Sequence, residues 1–195
     1  MRSWDALPDV SLKRAGTLTA EFVARRITDY RAAGCYLQAL PYGRTTNRAD
    51  FRAVLREGKG TCSTKHALLA ALAREHRLPV TLMLGIYEMH ERNTPGTGVI
   101  LAQYGLRLIP EAHCYLSYRG TRIDITRSGA QPSEPIKTFL HDEIIDLDQI
   151  GAYKIEMHQR FLEQWLATTN VTGIRSWKEI WRIREECIAA LSGNV

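Results

Sequence analysis

The sequence predicts an α+β fold from three features: amphipathic helical patterns at both ends, an apolar run of strand length from Val80 to Tyr87, and a hairpin pattern centred on Arg119-Gly120. Composition agrees with a globular chain. Of 195 residues, 45% are apolar and 24% charged, with 7 Pro and 14 Gly. That length suits one domain with a helical addition, burying roughly 70% of the surface its unfolded form exposes without help from disulfides or metal.

The elements are taken in chain order. Leu18, Phe22, Val23 and Ile27 fall at helical spacing, so a first helix is expected over 17–30, capped by Thr17 or Thr19 and ended by Gly34. Leu40-Pro41-Tyr42-Gly43 reads as a turn. Asn47, with Asp50 three residues on, predicts the cap of a short helix to Glu57 with Phe51, Val54 and Leu55 inward. The clearest helix runs from Cys62 to Glu75, capped by Thr61 or Ser63, with Leu68, Leu69 and Leu72 as its buried stripe. Pro79 bars its continuation, and the run 80–87 then predicts a central strand buried on both faces.

Residues 88–98 form a polar loop, with a helix or turn after it at 99–104. The hairpin joins strands at 113–118 and 121–126. From Asp148 the pattern is helical again. One helix carries Ile155, Phe161, Leu162, Trp165 and Leu166, and a second carries Ile174, Trp177, Ile180, Trp181, Ile188 and Leu191.

Lys plus Arg (26) exceeds Asp plus Glu (21) by 5, without a basic block. Such a balance permits a nucleic-acid partner without indicating one, so a basic nucleic-acid-binding domain stands as a lesser alternative. The first ten residues hold no apolar signal segment and no 18-residue apolar run occurs, so a cytoplasmic protein without a membrane partner is expected. Cys35, Cys62, Cys114 and Cys187 lack C-x-x-C spacing and are expected as free thiols.

Cys62 opens a predicted helix behind the turn Gly58-Lys59-Gly60, where backbone N–H groups and the helix dipole favour a thiolate. In the hairpin, facing residues sum to 239, so His113 faces Thr126 and Tyr115 faces Asp124. Alternation puts these four on one face and Cys114, Leu116, Ile123 and Ile125 on the other. His113 and Asp124 become diagonal neighbours, roughly 7 to 8 Å apart along the backbone, a gap their side chains can bridge. An imidazole held by a carboxylate is a base fixed in one tautomer, so Cys62, His113 and Asp124 form a candidate triad.

The stretch Gly60-Thr61-Cys62 through Leu78-Pro79-Val80 resembles the nucleophile segment of the transglutaminase-like superfamily, in which G-x-C opens a helix and an apolar-Pro-apolar element leads into a strand. Glu111 to Leu116 resembles the family's histidine strand and Arg122 to Thr126 its acid strand, in the order Cys, His, Asp. The resemblance covers about 58–127. Two features depart from the pattern: Cys114 stands where an aromatic residue commonly follows the histidine, and no Trp precedes Asp124. The 51 residues from Cys62 to His113 include 88–110, expected as a lid or substrate-selecting insertion.

The resemblance implies a papain-like core, its Cys-bearing helix packed on an antiparallel sheet, with extra N- and C-terminal helices. It implies cofactor-free amide hydrolysis or acyl transfer (amidase, peptidase or transglutaminase type), with Cys62 as nucleophile, His113 as acid/base and Asp124 as orienter. The substrate would be an amide- or acyl-bearing protein, peptide or small molecule. The Cys62 N–H is one candidate oxyanion donor; Gln38, Tyr42 or Asn47 is the candidate second, and Tyr115 a candidate substrate contact. Residues 1–147 are expected to form the catalytic domain and 148–195 a helical extension packed on it.

Four other patterns carry rival readings. Cys62, His66, His113 and Cys114 could be zinc ligands, but adjacent strand residues point apart and His66 reads more simply as a helix-surface residue or a partner of the site. Arg44, Arg48, Arg52 and Arg56 recur every four residues as a basic helical stripe that could bind an anionic substrate or nucleic acid, though it is most simply a solvated face. Gly96-Thr97-Gly98 lacks the G-K-[ST] of a phosphate loop. Trp165, Trp177 and Trp181 read as helix packing, and the non-enzymatic alternative is a binding protein that keeps the fold without catalysis.

Overall fold

The computed structural model describes residues 3–13, 16–126, 133–169 and 171–193. Among them are seven α-helices and a four-stranded sheet of order β3-β2-β1-β4, an α+β architecture. The helices are α1 (Thr17–Ala24), α2 (Tyr30–Ala39), α3 (Ala53–Glu57), α4 (Cys62–Glu75), α5 (Gly98–Gln103), α6 (Ala152–Thr168) and α7 (Trp177–Leu191). The strands are β1 (Val80–Met89), β2 (Ile109–Tyr118), β3 (Thr121–Ile123) and β4 (His141–Ile144). No helix is long and apolar enough to cross a membrane among the described residues.

The chain divides into two compact units. Unit 1 comprises Met1–Leu84, Cys114–Ser128 and Glu143–Ile150; unit 2 comprises Gly85–His113, Gly129–Asp142 and Gly151–Val195.

Unit 1 is organised around α4. Every residue of this helix from Cys62 to Ala73 is buried, because α1, α2, α3 and the 3-10 turn Leu147–Ile150 pack on it. The Tyr30 hydroxyl donates to Leu69 O at 2.9 Å, fastening α2 to it. Its last residue, Glu75, caps α1: the carboxylate accepts from Leu18 N (3.0 Å), Thr19 N (2.9 Å) and the Thr19 hydroxyl (2.6 Å). Burial opposes ionisation of Glu75, but these donors outweigh it and hold the acid below the usual carboxylate range.

Four expectations are corrected by the helices of this unit. The single helix over 17–30 is two helices, because Arg26 takes a left-handed φ of 61° and a Schellman closure ends α1, with Arg26 N bonded to Val23 O and Ile27 N to Phe22 O. Asp29 then caps α2 by accepting from Ala32 N at 2.7 Å, and Gly34 lies inside α2 instead of ending a helix. The short helix begins only at Ala53, since Asn47 and Asp50 spend their side chains on Ala49 N and Arg52 N in successive turns. Arg44, Arg48 and Arg52 therefore precede that helix, and the arginine stripe does not form; Arg56 pairs with Asp50 at 2.6 Å.

Unit 2 has its own core. Tyr87 and Met89 of β1, Leu101 of α5, Ile109 of β2, Leu162 of α6 and Ile180, Ile183 and Cys187 of α7 form one buried cluster, with Trp165, Trp177 and Trp181 packed against it. The tryptophans serve helix packing, as their spacing predicts.

Candidate active site

The nucleophile segment begins at Gly60, which is stitched to the turn after α2: Gly60 N donates to Pro41 O (3.1 Å) and Gly43 N to Gly60 O (3.2 Å). A Cβ on Gly60 would stand 2.9 Å from Lys65 Cγ and 3.0 Å from Val54 Cγ2, so the close approach requires glycine. Thr61 is the N-cap of α4, its backbone N–H donating to Thr64 Oγ1 at 3.0 Å in a capping box. Cys62 is the first residue of the helix, as its sequence predicts, and is 6% exposed. Its thiol therefore lies at the end of α4 where orphan N–H groups and the macrodipole favour an anion.

The next four residues are held as tightly. Ser63 Oγ lies 3.9 Å from Cys62 Sγ and accepts from the Cys114 thiol at 3.6 Å. Lys65 is fully buried, and its ammonium donates to Leu40 O (2.6 Å) and Thr126 O (2.9 Å). His66 is also fully buried, with Nδ1 2.7 Å from Cys62 O and Nε2 accepting from Ile125 N at 2.9 Å. This corrects its reading as a helix-surface residue and supports the alternative that it is a partner of the site. With both ring nitrogens engaged by backbone, His66 is not disposed as a zinc ligand. Among the described residues no group of three or more His, Cys, Asp and Glu is arranged to hold a metal.

The hairpin has the expected register: Leu116 faces Ile123, Ser117 faces Arg122 and Tyr118 faces Thr121, each pair summing to 239. Arg119 and Gly120 both have positive φ (50° and 75°), the signature of a type I′ turn despite the arginine. Leu116, Ile123, Ile125 and Cys114 are fully buried, as the predicted inner face requires. The strand itself is shorter than expected. β3 stops at Ile123, and Asp124–Thr126 form a local turn in which Asp124 Oδ1 accepts from Thr126 N (2.9 Å) and Thr126 Oγ1 (2.5 Å). Asp124 Oδ1 lies 3.6 Å from His66 Nε2, and its side chain is 35% exposed.

Tyr115 is buried on β2, with the Arg122 guanidinium 5.2 Å from its ring centre. Of the candidate oxyanion donors, Tyr42 is bridged to Gly60 beside the nucleophile, Gln38 is half-buried on the last turn of α2, and Asn47 is exposed in its own turn.

In unit 2, His113 is buried on β2 with its ring edge-on to Tyr87, centroids 5.8 Å apart. Tyr87 is fixed by Thr94 Oγ1 at 2.9 Å and by the edge of Phe139. Two residues before His113, Glu111 receives a two-pronged bond from Arg184 of α7 (2.7 Å each), and His158 of α6 lies 3.0 Å from Pro110 O. Burial works against the Glu111 carboxylate, yet the Arg184 charge and hydrogen bonds hold it down to about 2. Burial depresses His158 to about 4, partly offset by the Glu111 charge.

A family model described as the transglutaminase-like superfamily matches residues 11–122, more than half of the chain. The match takes in α1 to α3, which the sequence resemblance left outside, and includes Cys62 and His113; it ends two residues before Asp124. No curated protein and no solved structure matches the chain.

Proposed function

The chain belongs to the transglutaminase-like superfamily, and from that premise we propose that it is a cysteine-dependent enzyme of amide hydrolysis or acyl transfer. The observation that carries the proposal is Cys62 as first residue of a helix buried from Cys62 to Ala73, behind its capping threonine. A thiolate there attacks the acyl carbonyl; a C–S bond forms, and the oxyanion is met by backbone N–H groups of the helix start. His113, as imidazolium, protonates the leaving amine as the C–N bond breaks. It then takes a proton from water or an acceptor amine, which attacks the thioester and releases the Cys62 thiolate as an acid or a new amide forms. Asp124 orients the imidazole.

Site-resolved alkylation of the four cysteines against pH, in wild type and His113→Ala, tests this. Cys62 is expected to react fast well below the ordinary thiol range and to slow in the variant. Burial pushes the Cys187 thiol up to about 12, so it serves as the slow internal reference. A Cys62 no faster than Cys187 would mark a chain that keeps the fold and works as a binding protein.

A further inference from the structure

We propose that Lys65 and His66 are positioning residues for Asp124, forming a clamp from the nucleophile helix onto the main chain just past the acid. The inference rests on the triad reading above and adds two residues to it.

The paired backbone of the hairpin ends one residue before the acid. The β2–β3 ladder runs from Leu116↔Ile123 to Tyr118↔Thr121, and Asp124, Ile125 and Thr126 follow the end of β3. The main chain of Ile125 and Thr126, just past the acid, is bonded to consecutive residues of α4. Lys65 Nζ donates to Thr126 O at 2.9 Å, and Ile125 N donates to His66 Nε2 at 2.9 Å. A fully buried ammonium and a fully buried imidazole are costly on a helix rich in alanine and leucine, and hydrogen bonds to buried backbone are what offset that cost.

The bonds fix the state of the ring. Accepting from Ile125 N requires a lone pair on Nε2, so the proton of neutral His66 is on Nδ1, aimed at Cys62 O 2.7 Å away. One imidazole thus joins the main chain of the nucleophile to the main chain just past the acid. Nε2 bears no proton and is no donor to Asp124 Oδ1, 3.6 Å away, so His66 does not take over the role proposed for His113. Lys65 adds a second fixed point and ties the same segment to Leu40 O, ahead of the Tyr42 turn.

Cys62 alkylation against pH, read in the wild-type and Asp124→Asn backgrounds, tests the clamp. His66→Phe keeps the bulk and removes both hydrogen bonds; it is expected to slow Cys62 about tenfold at neutral pH, less than the roughly 100-fold that a full 1 Å misplacement can cost. His66→Gln, which retains one donor and one acceptor, is expected to recover most of that loss. In Asp124→Asn, His66→Phe should add less than twofold, because a residue that acts through Asp124 has nothing left to position. Lys65→Met gives the same comparison by a second route. On the unmodified protein, the Ile125 amide is expected to be strongly protected from hydrogen exchange. An undiminished tenfold effect in Asp124→Asn, or a freely exchanging Ile125 amide, overturns the clamp while the triad stands. If neither His113→Ala nor Asp124→Asn slows Cys62, the triad reading falls, and the clamp with it.

Discussion

Gly34 lies within α2, and what it supplies there is room. A Cβ at this position would stand 2.4 Å from Cδ1 of Leu7, a side chain only 1% exposed, and 3.5 Å from Leu69 and Trp4. Alanine gains about 1 kcal/mol of helix propensity over glycine, while forcing a methyl into a filled core costs about 1 to 3 kcal/mol. Gly34→Ala is therefore expected to lower the unfolding free energy by about 1 kcal/mol in urea titration, and a stabilised variant would show that Leu7 gives way. Read from sequence, Gly34 resembles a helix stop, because pattern cannot tell a glycine needed for space from one needed for φ. Arg77 is the reverse case: its φ of 54° closes α4 where glycine is usual. The site shows the same division. The start of α4 at Cys62 was legible from its turn and the register of the hairpin from arithmetic, whereas β3 stops before Asp124 and nothing in a run of Ala, Leu and one Lys-His pair tells that Lys65 and His66 are fully buried.

Elements were legible where their ends carry chemistry. Both ends of α4 are set by Thr61 and by the approach to Pro79, whereas α1 and α2 merge in the sequence because arginine occupies the left-handed position between them. β4, His-Asp-Glu-Ile, has neither an apolar run nor alternation to announce it; it is an edge strand, mostly exposed. The pairing of α6 and α7 with β2 was beyond sequence too, since it rests on Glu111, Arg184 and His158 meeting in a buried place. That meeting has a pH signature. His158 binds its proton at about 4 when folded against 6.5 otherwise, so between these values the unfolded chain holds more protons and stability falls as pH drops. The contribution is complete above pH 6.5 and is lost by about pH 4, on the order of 3 kcal/mol. Glu111, held at about 2 against 4.5, continues the loss with the same sign between those values. In His158→Gln the slope between pH 6.5 and 4 is expected to flatten while the loss below 4.5 remains. An unchanged slope in denaturant midpoints against pH would assign the dependence to another group.

At the scale of the whole chain, the family match stops at residue 122, yet the protein's second core depends on helices beyond that point. Leu162, Ile180, Ile183 and Cys187 come from α6 and α7, and the residues they cover, Tyr87, Met89, Leu101 and Ile109, come from within the matched stretch. Periodicity predicted the inward stripes of the two C-terminal helices, but unit 2 recruits them together with 85–113 and 129–142, a grouping that no local pattern encodes. A chain shortened to end at Ile150 uncovers those four buried side chains, at about 1.5 to 3 kcal/mol for each one fully exposed. It also leaves the Glu111 carboxylate without Arg184, a further cost of several kcal/mol for a buried charge that has lost its partner. The sum is comparable with the about 5 to 15 kcal/mol that holds a whole domain folded. The shortened chain is therefore expected to lose near-UV circular dichroism and a cooperative thermal transition, even though it keeps Cys62, His113 and Asp124. If it instead unfolds cooperatively at the wild-type midpoint, α6 and α7 are an addition to a core that folds without them, and the Glu111–Arg184 pair serves some purpose other than stability.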